Sequence, residues 1–293
     1  MVESLAQPAR SMSATVTVLP HELIFNAFLA VTALRYFLVT GPASQPPYLY
    51  LALLAVSGLT FWLDRCASTP LTWRVRLGWY ALAMSIVFNY MRGTIGAIAG
   101  PAQDDALLAA DIALFGTSPT VWFQAIEARP LGEILSFCYV LFFPYLYGSL
   151  IARLCGERGT AERFFAGLFS LYGFGFLLYS LVPALGPSLG EPQLFAAPIA
   201  NGPVARWVLG IVLAGSNGAD VFPSLHIAVT LYILLFDRRA SPRRFAVALV
   251  PASLLMLATL YLRFHYGVDI IAGVLLALGM LALSRVRLRL SHH

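Results

Sequence analysis

Residues 222–236 read FPSLHIAVTLYILLF, so that His226 stands at the start of an apolar run. Residues 263–269 read RFHYGVD and place His265 in the same way before the last apolar run of the chain. Asp269 follows His265 by four residues, about one helical turn, which puts both side chains on one helix face. Its carboxylate can then hold one ring nitrogen and leave the other as a base or nucleophile. The pattern indicates a reactive site where apolar helices begin.

The amino-acid composition indicates whether these helices lie in water or in a membrane. The 293 residues are 59% hydrophobic and 11% charged, whereas average soluble domains carry about 25% charged residues. Several apolar runs reach the roughly 20 residues that a helix needs to cross a bilayer. The sequence therefore predicts an all-α, polytopic membrane helical bundle whose surroundings are the lipid bilayer, with no nucleic-acid partner.

Hydrophobicity along the chain predicts about eight transmembrane helices. Their expected bounds are 22–40, 48–63, 76–98, 131–152, 164–184, 223–236 extended by a few residues, 245–263 and 267–284. The first residues, 1–20, are polar and rich in small side chains, and we interpret them as an N-terminal tail.

Arginine positions orient these spans, and the sequence contains no lysine. With eight spans, 14 of the 19 basic residues fall on one side, which the positive-inside rule makes cytoplasmic. They are Arg10, Arg65, Arg74, Arg76, Arg153, Arg158, Arg163, Arg238, Arg239, Arg243, Arg244, Arg285, Arg287 and Arg289. Both termini are then cytoplasmic. Short cytoplasmic loops and the lack of a targeting signal favour the inner membrane of a bacterium.

The opposite, extracytoplasmic side carries His226, His265 and Asp269, together with segments that resemble helices lying on the membrane surface. These segments are 104–114, 119–128 and 204–213. Asp111, Glu127 and Trp122, placed among leucine and phenylalanine residues, suit such an interfacial position.

Four arginines fall on this extracytoplasmic side, and a fifth, Arg35, falls inside the first span. The four are Arg92, Arg129, Arg206 and Arg263. Arginine near membrane depth commonly marks an anionic partner, and its guanidinium fork matches phosphate oxygens. Arg92 ends the third span and Arg263 precedes His265 by two residues, so we expect these two to bind phosphate. Positively charged arginines beside a pair of histidines indicate phosphoryl transfer.

These residues resemble the type 2 phosphatidic acid phosphatase superfamily of membrane lipid phosphatases and phosphotransferases. Its second motif, Pro-Ser-x-His, is matched by residues 223–226, and its third motif ends in His-x-x-x-Asp, matched by 265–269. In that family six helices carry the motifs. The resemblance therefore implies a six-helix catalytic core at 71–293, preceded by two additional transmembrane helices at 21–70.

The chain also departs from the family pattern. The first motif needs a lysine seven residues before Arg-Pro, but Trp122 stands seven residues before Arg129. The third motif commonly has an arginine six residues before its histidine, where this chain has Thr259. Two segments, residues 258–266 around Thr259 and residues 111–116, are similar in sequence to the branch of the family that contains fungal inositol phosphorylceramide synthase. Members of that branch move a phosphorylated head group between lipids.

The resemblance and the chemistry together imply a mechanism without metal ion or cofactor. His265 attacks phosphorus, Asp269 fixes its tautomer, and His226 acts as general acid and then general base. Ser224 either caps its helix or donates to a phosphate oxygen. The predicted phosphate-binding residues are Arg92, Arg263 and Ser224, the two arginines on grounds of charge alone.

The leading hypothesis is a lipid phosphotransferase that moves a phosphate or phosphorylated head group from a membrane lipid to an alcohol through phosphohistidine. The acceptor would be a lipid, a polyol or water. The alternative is a lipid or polyprenyl phosphate or diphosphate phosphatase, which needs only water. A proton-coupled transporter and a haem-binding membrane protein are further classes. The transporter would need broken helices and repeat symmetry, which the sequence does not show, and Asp269 would be an odd partner for a histidine that binds haem.

Overall fold

A computed structural model describes residues 17–196, 199 and 202–286, which form helices joined by short loops. The α-helices of this part of the chain are α1 (Pro20–Thr40), α2 (Pro46–Cys66), α3 (Pro70–Thr94), α4 (Asp104–Phe115), α5 (Pro119–Trp122), α6 (Arg129–Val140), α7 (Phe142–Leu154), α8 (Arg158–Leu181), α9 (Pro187–Gly190), α10 (Pro203–Gly215), α11 (Leu225–Ala240), α12 (Pro242–Tyr261) and α13 (Gly267–Leu283). The predicted all-α fold is confirmed. Most of the predicted tail, residues 1–16, lies outside the described residues.

Each predicted span coincides with a helix or, for 131–152, with the pair α6 and α7. Five of these units, namely α1, α2, α6–α7, α8 and α12, are long and apolar enough to cross a membrane. A sixth is counted if α4 and the segment that follows it, which meet at 70°, form one bent span. Helices α11 and α13 have 16 and 17 residues, shorter than the usual 20 or so. Several candidate membrane spans are therefore present, and the number eight stays a prediction.

Helix α8 forms the centre of the bundle and is buried on nearly every side. Its phenylalanines join one large hydrophobic core with α1, α3, α7, α11 and α13. Helix α1 lies directly against it: a Cβ at Gly173 would stand 3.1 Å from the Cα of Phe25, and the rings of Phe25 and Phe169 are 6.5 Å apart. The two N-terminal helices thus share the core of the bundle. Their separation from a six-helix core stays a prediction.

The arginine-rich connections meet at one end of the bundle. Arg74 reaches from α3 to the carbonyl oxygen of Leu154 at the end of α7, over 2.8 Å. At the same end, Asp237 pairs with Arg153 and Arg244. Helices α11 and α13 begin at the opposite end, with the two motif histidines. The clustering agrees with the predicted sidedness, but which end is cytoplasmic stays a prediction, and both chain termini lie outside the described residues.

Helices α11 and α13 approach each other closely just behind the motif histidines. The backbone N–H of Ser224 donates to the carbonyl oxygen of Asp269 over 3.2 Å. One turn further along α13, a Cβ at Gly273 would lie 2.7 Å from the carbonyl oxygen of Ser224. That oxygen belongs to the backbone and cannot swing aside as a flexible side chain could. Glycine at 273 therefore sets the distance between the two helices.

Alanine at Gly273 is expected to push the start of α11 away from α13 and to lower both thermal stability and activity. Gly279→Ala is the matched control, because nothing lies within 4 Å of a Cβ built there and alanine favours a helix by up to about 1 kcal/mol. Thermal unfolding in detergent compares the two variants. Equal midpoints for both would contradict the assignment of Gly273 as a spacing residue.

Candidate active site

His226 and His265 line one cavity of about 310 Å³ at the N-terminal ends of α11 and α13. Their ring centroids are 6.2 Å apart. The rest of the wall is mainly apolar and comes from α3, α6, α7, α10 and the loops beside them. It includes Phe88, Tyr139, Phe143, Val212 and Leu213. The two histidines that lie 39 positions apart in the sequence thus face one shared space.

Asp269 lies behind His265, away from the cavity. Its Oδ2 atom is 3.4 Å from Nδ1 of His265, and the residue is fully buried. The same oxygen accepts a hydrogen bond of 2.8 Å from the backbone N–H of Tyr266, which fixes the carboxylate. Because Nδ1 faces Asp269, the Nε2 atom of His265 is left for the cavity. The two side chains therefore lie close together, but His265 precedes α13 by two residues, so they do not share a helix face as their spacing had suggested.

The backbone of His265 is held from both sides. Its N–H donates to the carbonyl oxygen of Thr259 over 3.2 Å, and its own carbonyl oxygen accepts from the hydroxyl of Thr120 over 3.0 Å. Thr259, which stands where the family commonly has arginine, therefore contributes through its main chain to the position of the histidine. Thr120 reaches it from α5, about 145 positions earlier.

His226 is surrounded by aromatic rings. The ring of Tyr139 stacks against it with centroids 4.6 Å apart, and that of Phe142 lies 4.5 Å away. The hydroxyl of Tyr139 is 3.4 Å from Nδ1 of His226, so Nε2 is the nitrogen left for the cavity. Tyr139 is more than a packing residue, which the sequence did not reveal because α6 approaches α11 only in the folded chain.

Ser224 caps α11. Its hydroxyl oxygen accepts the backbone N–H of Ile227 at 3.4 Å, and the side chain is fully buried. Of the two interpretations open from the sequence, the structure supports the helix cap. Ser224 is not among the residues that line the histidine cavity, and its role in phosphate binding stays a prediction.

Arg263 lines a second cavity of about 390 Å³ beside the first. The two cavities share the lining residues Ser188, Val208, Leu209 and Phe264. The Arg263 guanidinium pairs with Glu127 and lies over the ring of Phe195, 4.1 Å from its centroid. Its backbone has φ 62°, an uncommon conformation for a bulky residue. The structure places Arg263 one cavity away from the histidines, already opposite a carboxylate.

Arg92 lies near the end of α3 with an exposed side chain. Phe88, one turn earlier on the same helix, lines the histidine cavity, whereas Arg92 is not among its lining residues. The structure does not bring Arg92 together with His226 and His265. Its expected role in phosphate binding stays a prediction, which would require the side chain to swing toward the cavity.

Asp111, expected at the membrane surface, is instead fully buried. Its carboxylate accepts from the N–H groups of Gly267 and Val268 over 2.9 and 2.8 Å, at the start of α13. It also accepts from the hydroxyl of Ser118 over 2.7 Å. A carboxylate suits the positive end of a helix. Asp111 therefore fixes the helix that carries Asp269, and its polar side chain was expected at the surface because no local pattern announces a cap supplied from α4.

Asp104 has a similar role two turns earlier on the same face of α4. Its carboxylate accepts from the backbone N–H groups of Leu185 and Gly186 and from the hydroxyl of Tyr266 over 3.0 Å. The loop before α9 and the start of α13 are thereby tied to α4. The helices predicted at 104–114 and 204–213 are present as α4 and α10, while only a short helix and a 3₁₀ turn occupy 119–126.

Asp220 is an acidic residue of the cavity that sequence reasoning did not single out. It lies in the loop between α10 and α11 and lines the cavity together with His226 and His265. Its Oδ1 atom accepts from the Ser216 hydroxyl over 2.5 Å. Burial raises the pKa of Asp220 from its ordinary value, while the Ser216 hydrogen bond and the charge of His265 act in the opposite direction. The only sequence signal was its position six residues before His226.

In the part of the chain that the structure describes, no group of three or more histidine, cysteine, aspartate or glutamate side chains is arranged to hold a metal ion. The chemistry available in the cavity is that of two imidazoles and the carboxylate of Asp220. One imidazole has a carboxylate behind it, and the other has a phenol.

The sequence matches the model of a known protein family. The model of the PAP2 superfamily matches residues 105–283, which is more than half of the chain and includes both histidine motifs. The match begins within α4 and leaves α1, α2 and α3 outside it. Comparisons with curated proteins and with solved structures gave no match. The match over α4 to α13, together with the facing histidines and Asp269, establishes that the chain belongs to the PAP2 superfamily.

Proposed function

We propose that the protein is a lipid phosphotransferase, which moves a phosphoryl group from a membrane lipid to an alcohol through a phosphohistidine at His265. Membership of the PAP2 superfamily suggests phosphatase or phosphotransferase activity on lipid phosphates. The observation that carries the proposal is the pair of histidine rings facing each other across one cavity, with Asp269 behind His265. The likeness of the sequence to the inositol phosphorylceramide synthase branch favours transfer over hydrolysis.

The first half-reaction begins when Nε2 of His265 attacks phosphorus. The bond between phosphorus and the lipid alkoxide breaks, and His226 gives that alkoxide its proton. Asp269 holds the attacking imidazole in one tautomer and stabilises the charge that it gains. The two ring centroids are 6.2 Å apart, close enough for one phosphate group to contact both imidazoles.

In the second half-reaction the acceptor alcohol takes the place of the departed lipid alcohol. His226, now neutral, removes the proton of the acceptor hydroxyl, whose oxygen forms a bond to phosphorus while the bond to His265 breaks. The enzyme returns to its starting state with His226 protonated. No cofactor enters either step.

The cavity wall is compatible with a membrane lipid as donor. Phe143 and Leu213 line the cavity and are also exposed on the outside of the bundle. In a membrane those surfaces meet lipid chains, so a lipid could reach the histidines sideways, between α7 and α10. If the arginine-rich end is cytoplasmic, this opening faces the extracytoplasmic leaflet.

A lipid or polyprenyl phosphate phosphatase is the second candidate, because water in the acceptor position completes the same cycle. The phosphotransferase yields a phosphorylated alcohol, whereas the phosphatase yields inorganic phosphate. Purified protein in detergent would be given a radiolabelled lipid phosphate in the presence of EDTA, with and without an alcohol such as glycerol. We expect a labelled phosphoalcohol whose yield rises with glycerol. Inorganic phosphate as the only product at every alcohol concentration would refute the transferase and leave the phosphatase.

A further inference from the structure

Asp220 is an acidic residue of the histidine cavity whose role the two histidine motifs do not explain. Its carboxylate lies in the same cavity as His226 and His265, where the donor phosphate is expected to bind. Two anions placed in one partly buried cavity repel each other. A carboxylate retained there is therefore unfavourable for the first half-reaction unless it serves another group that enters the cavity.

The loop fixes Asp220 in place. The Ser216 hydroxyl accepts from the backbone N–H of Gly218 over 3.1 Å and donates to Oδ1 of Asp220 over 2.5 Å. Gly218 has φ 78°, a conformation that glycine adopts readily, and the side chain of Asn217 accepts the backbone N–H of Ala219 over 2.9 Å. The carboxylate thus extends from a structured turn at the end of α10.

The carboxylate of Asp220 favours a ligand that donates hydrogen bonds. An ionised carboxylate accepts hydrogen bonds and donates none, and phosphate-ester oxygens are likewise acceptors. A hydroxyl group is a donor and pairs well with a charged acceptor. Ser188 and Ser216, whose hydroxyls both donate and accept, line the same cavity, so a molecule with several hydroxyls would find more than one partner.

We propose that Asp220 binds the acceptor: it accepts a hydrogen bond from a hydroxyl of a polyol and turns that molecule toward the phosphohistidine. This inference rests on the proposed function and narrows its acceptor to the polyol class. Asp220 takes a hydrogen bond only, whereas the proton of the attacking hydroxyl goes to His226. A bound polyol also occupies the space that water would use, so Asp220 shifts the outcome from hydrolysis to transfer.

Asp220→Asn tests the proposal in the full-length protein in detergent, with radiolabelled phosphatidic acid as donor. Glycerol is the polyol acceptor and 1-propanol the matched alcohol with a single hydroxyl. Three quantities are measured: the rate of phosphoenzyme formation, the KM for each alcohol and the ratio of phosphoalcohol to inorganic phosphate. We expect the KM for glycerol to rise about tenfold, because asparagine offers a neutral acceptor in place of a charged one. Phosphoenzyme formation should change less than threefold or so, since the donor site keeps all its groups.

Asp220→Glu keeps the charge and is expected to recover part of the preference for glycerol over water. An unchanged ratio of phosphoalcohol to phosphate in Asp220→Asn would overturn the proposal. So would loss of phosphoenzyme formation accompanied by a lower melting temperature, which would show a structural role. A wild-type protein that transfers to 1-propanol as well as to glycerol refutes the acceptor assignment alone, whereas one that hydrolyses the donor and transfers to neither alcohol refutes the proposed transferase. One that forms no phosphoenzyme refutes the proposed function itself.

Discussion

Replacing His265 by alanine is expected to abolish phosphoenzyme formation and to reduce turnover by about 10⁴-fold or more. The imidazole is the only nucleophile that the proposed cycle uses, and water cannot take its place in the first half-reaction without a new geometry. The measurement is acid quenching of the enzyme with radiolabelled lipid phosphate, followed by detection of label on the protein. Phosphohistidine is labile to acid, so a parallel sample is quenched with alkali.

His226→Ala is the matched variant, because it removes the second imidazole and leaves the nucleophile. An aryl phosphate ester separates the two roles, since its phenolate leaves without being protonated. His226→Ala should still acquire label from the aryl ester while failing with the lipid donor. His265→Ala should fail with both. Label on His265→Ala would refute the phosphohistidine, and failure of His226→Ala with both donors would refute its role as general acid.

The features of the site that the sequence could predict are local. Asp269 lies in the first turn of α13, His265 lies two residues before that helix, and His226 is the second residue of α11, so short-range geometry keeps each histidine at a helix start. Apolar runs likewise predicted the helical bundle and the approximate bounds of its spans. Each of these features depends on residues within one element.

The features that could not be predicted come from helices brought together by packing. Asp111 caps α13 from α4, and Tyr139 stacks on His226 from α6, although both are far away in the sequence. Arg263 has the right charge and position for phosphate, yet its guanidinium pairs with Glu127. A charge count cannot reveal that pairing, because Glu127 was expected at the membrane surface. Tertiary contacts decided which charged groups face the cavity.

Arg76→Met is expected to destabilise the fold by about 3–5 kcal/mol, the usual cost of breaking a buried ion pair by removing one partner. Arg76 is nearly fully buried and binds Glu22 of α1 at 2.6 Å and Asp64 of α2 at 3.1 Å. It also donates to the carbonyl oxygen of Thr17 over 2.9 Å. Methionine fills similar space but leaves the buried Glu22 carboxylate without its arginine, while Asp64 keeps Arg158 at 3.1 Å. Unfolding in detergent, followed by circular dichroism, measures the change.

The control is Arg163→Gln. Arg163 is exposed, and its guanidinium donates a hydrogen bond of 3.1 Å to the Thr160 hydroxyl. A surface substitution of this kind changes stability by about 0.5 kcal/mol or less. Adding Glu22→Gln to Arg76→Met should recover some of the loss, because one uncompensated carboxylate is gone. The ion pairs of Arg76 lie at the end of the bundle opposite the histidines, so the folded fraction of Arg76→Met should keep its phosphoenzyme rate. If Arg76→Met melts like Arg163→Gln, the network does not hold α1 and α2 on the bundle, and the shared hydrophobic core alone attaches them.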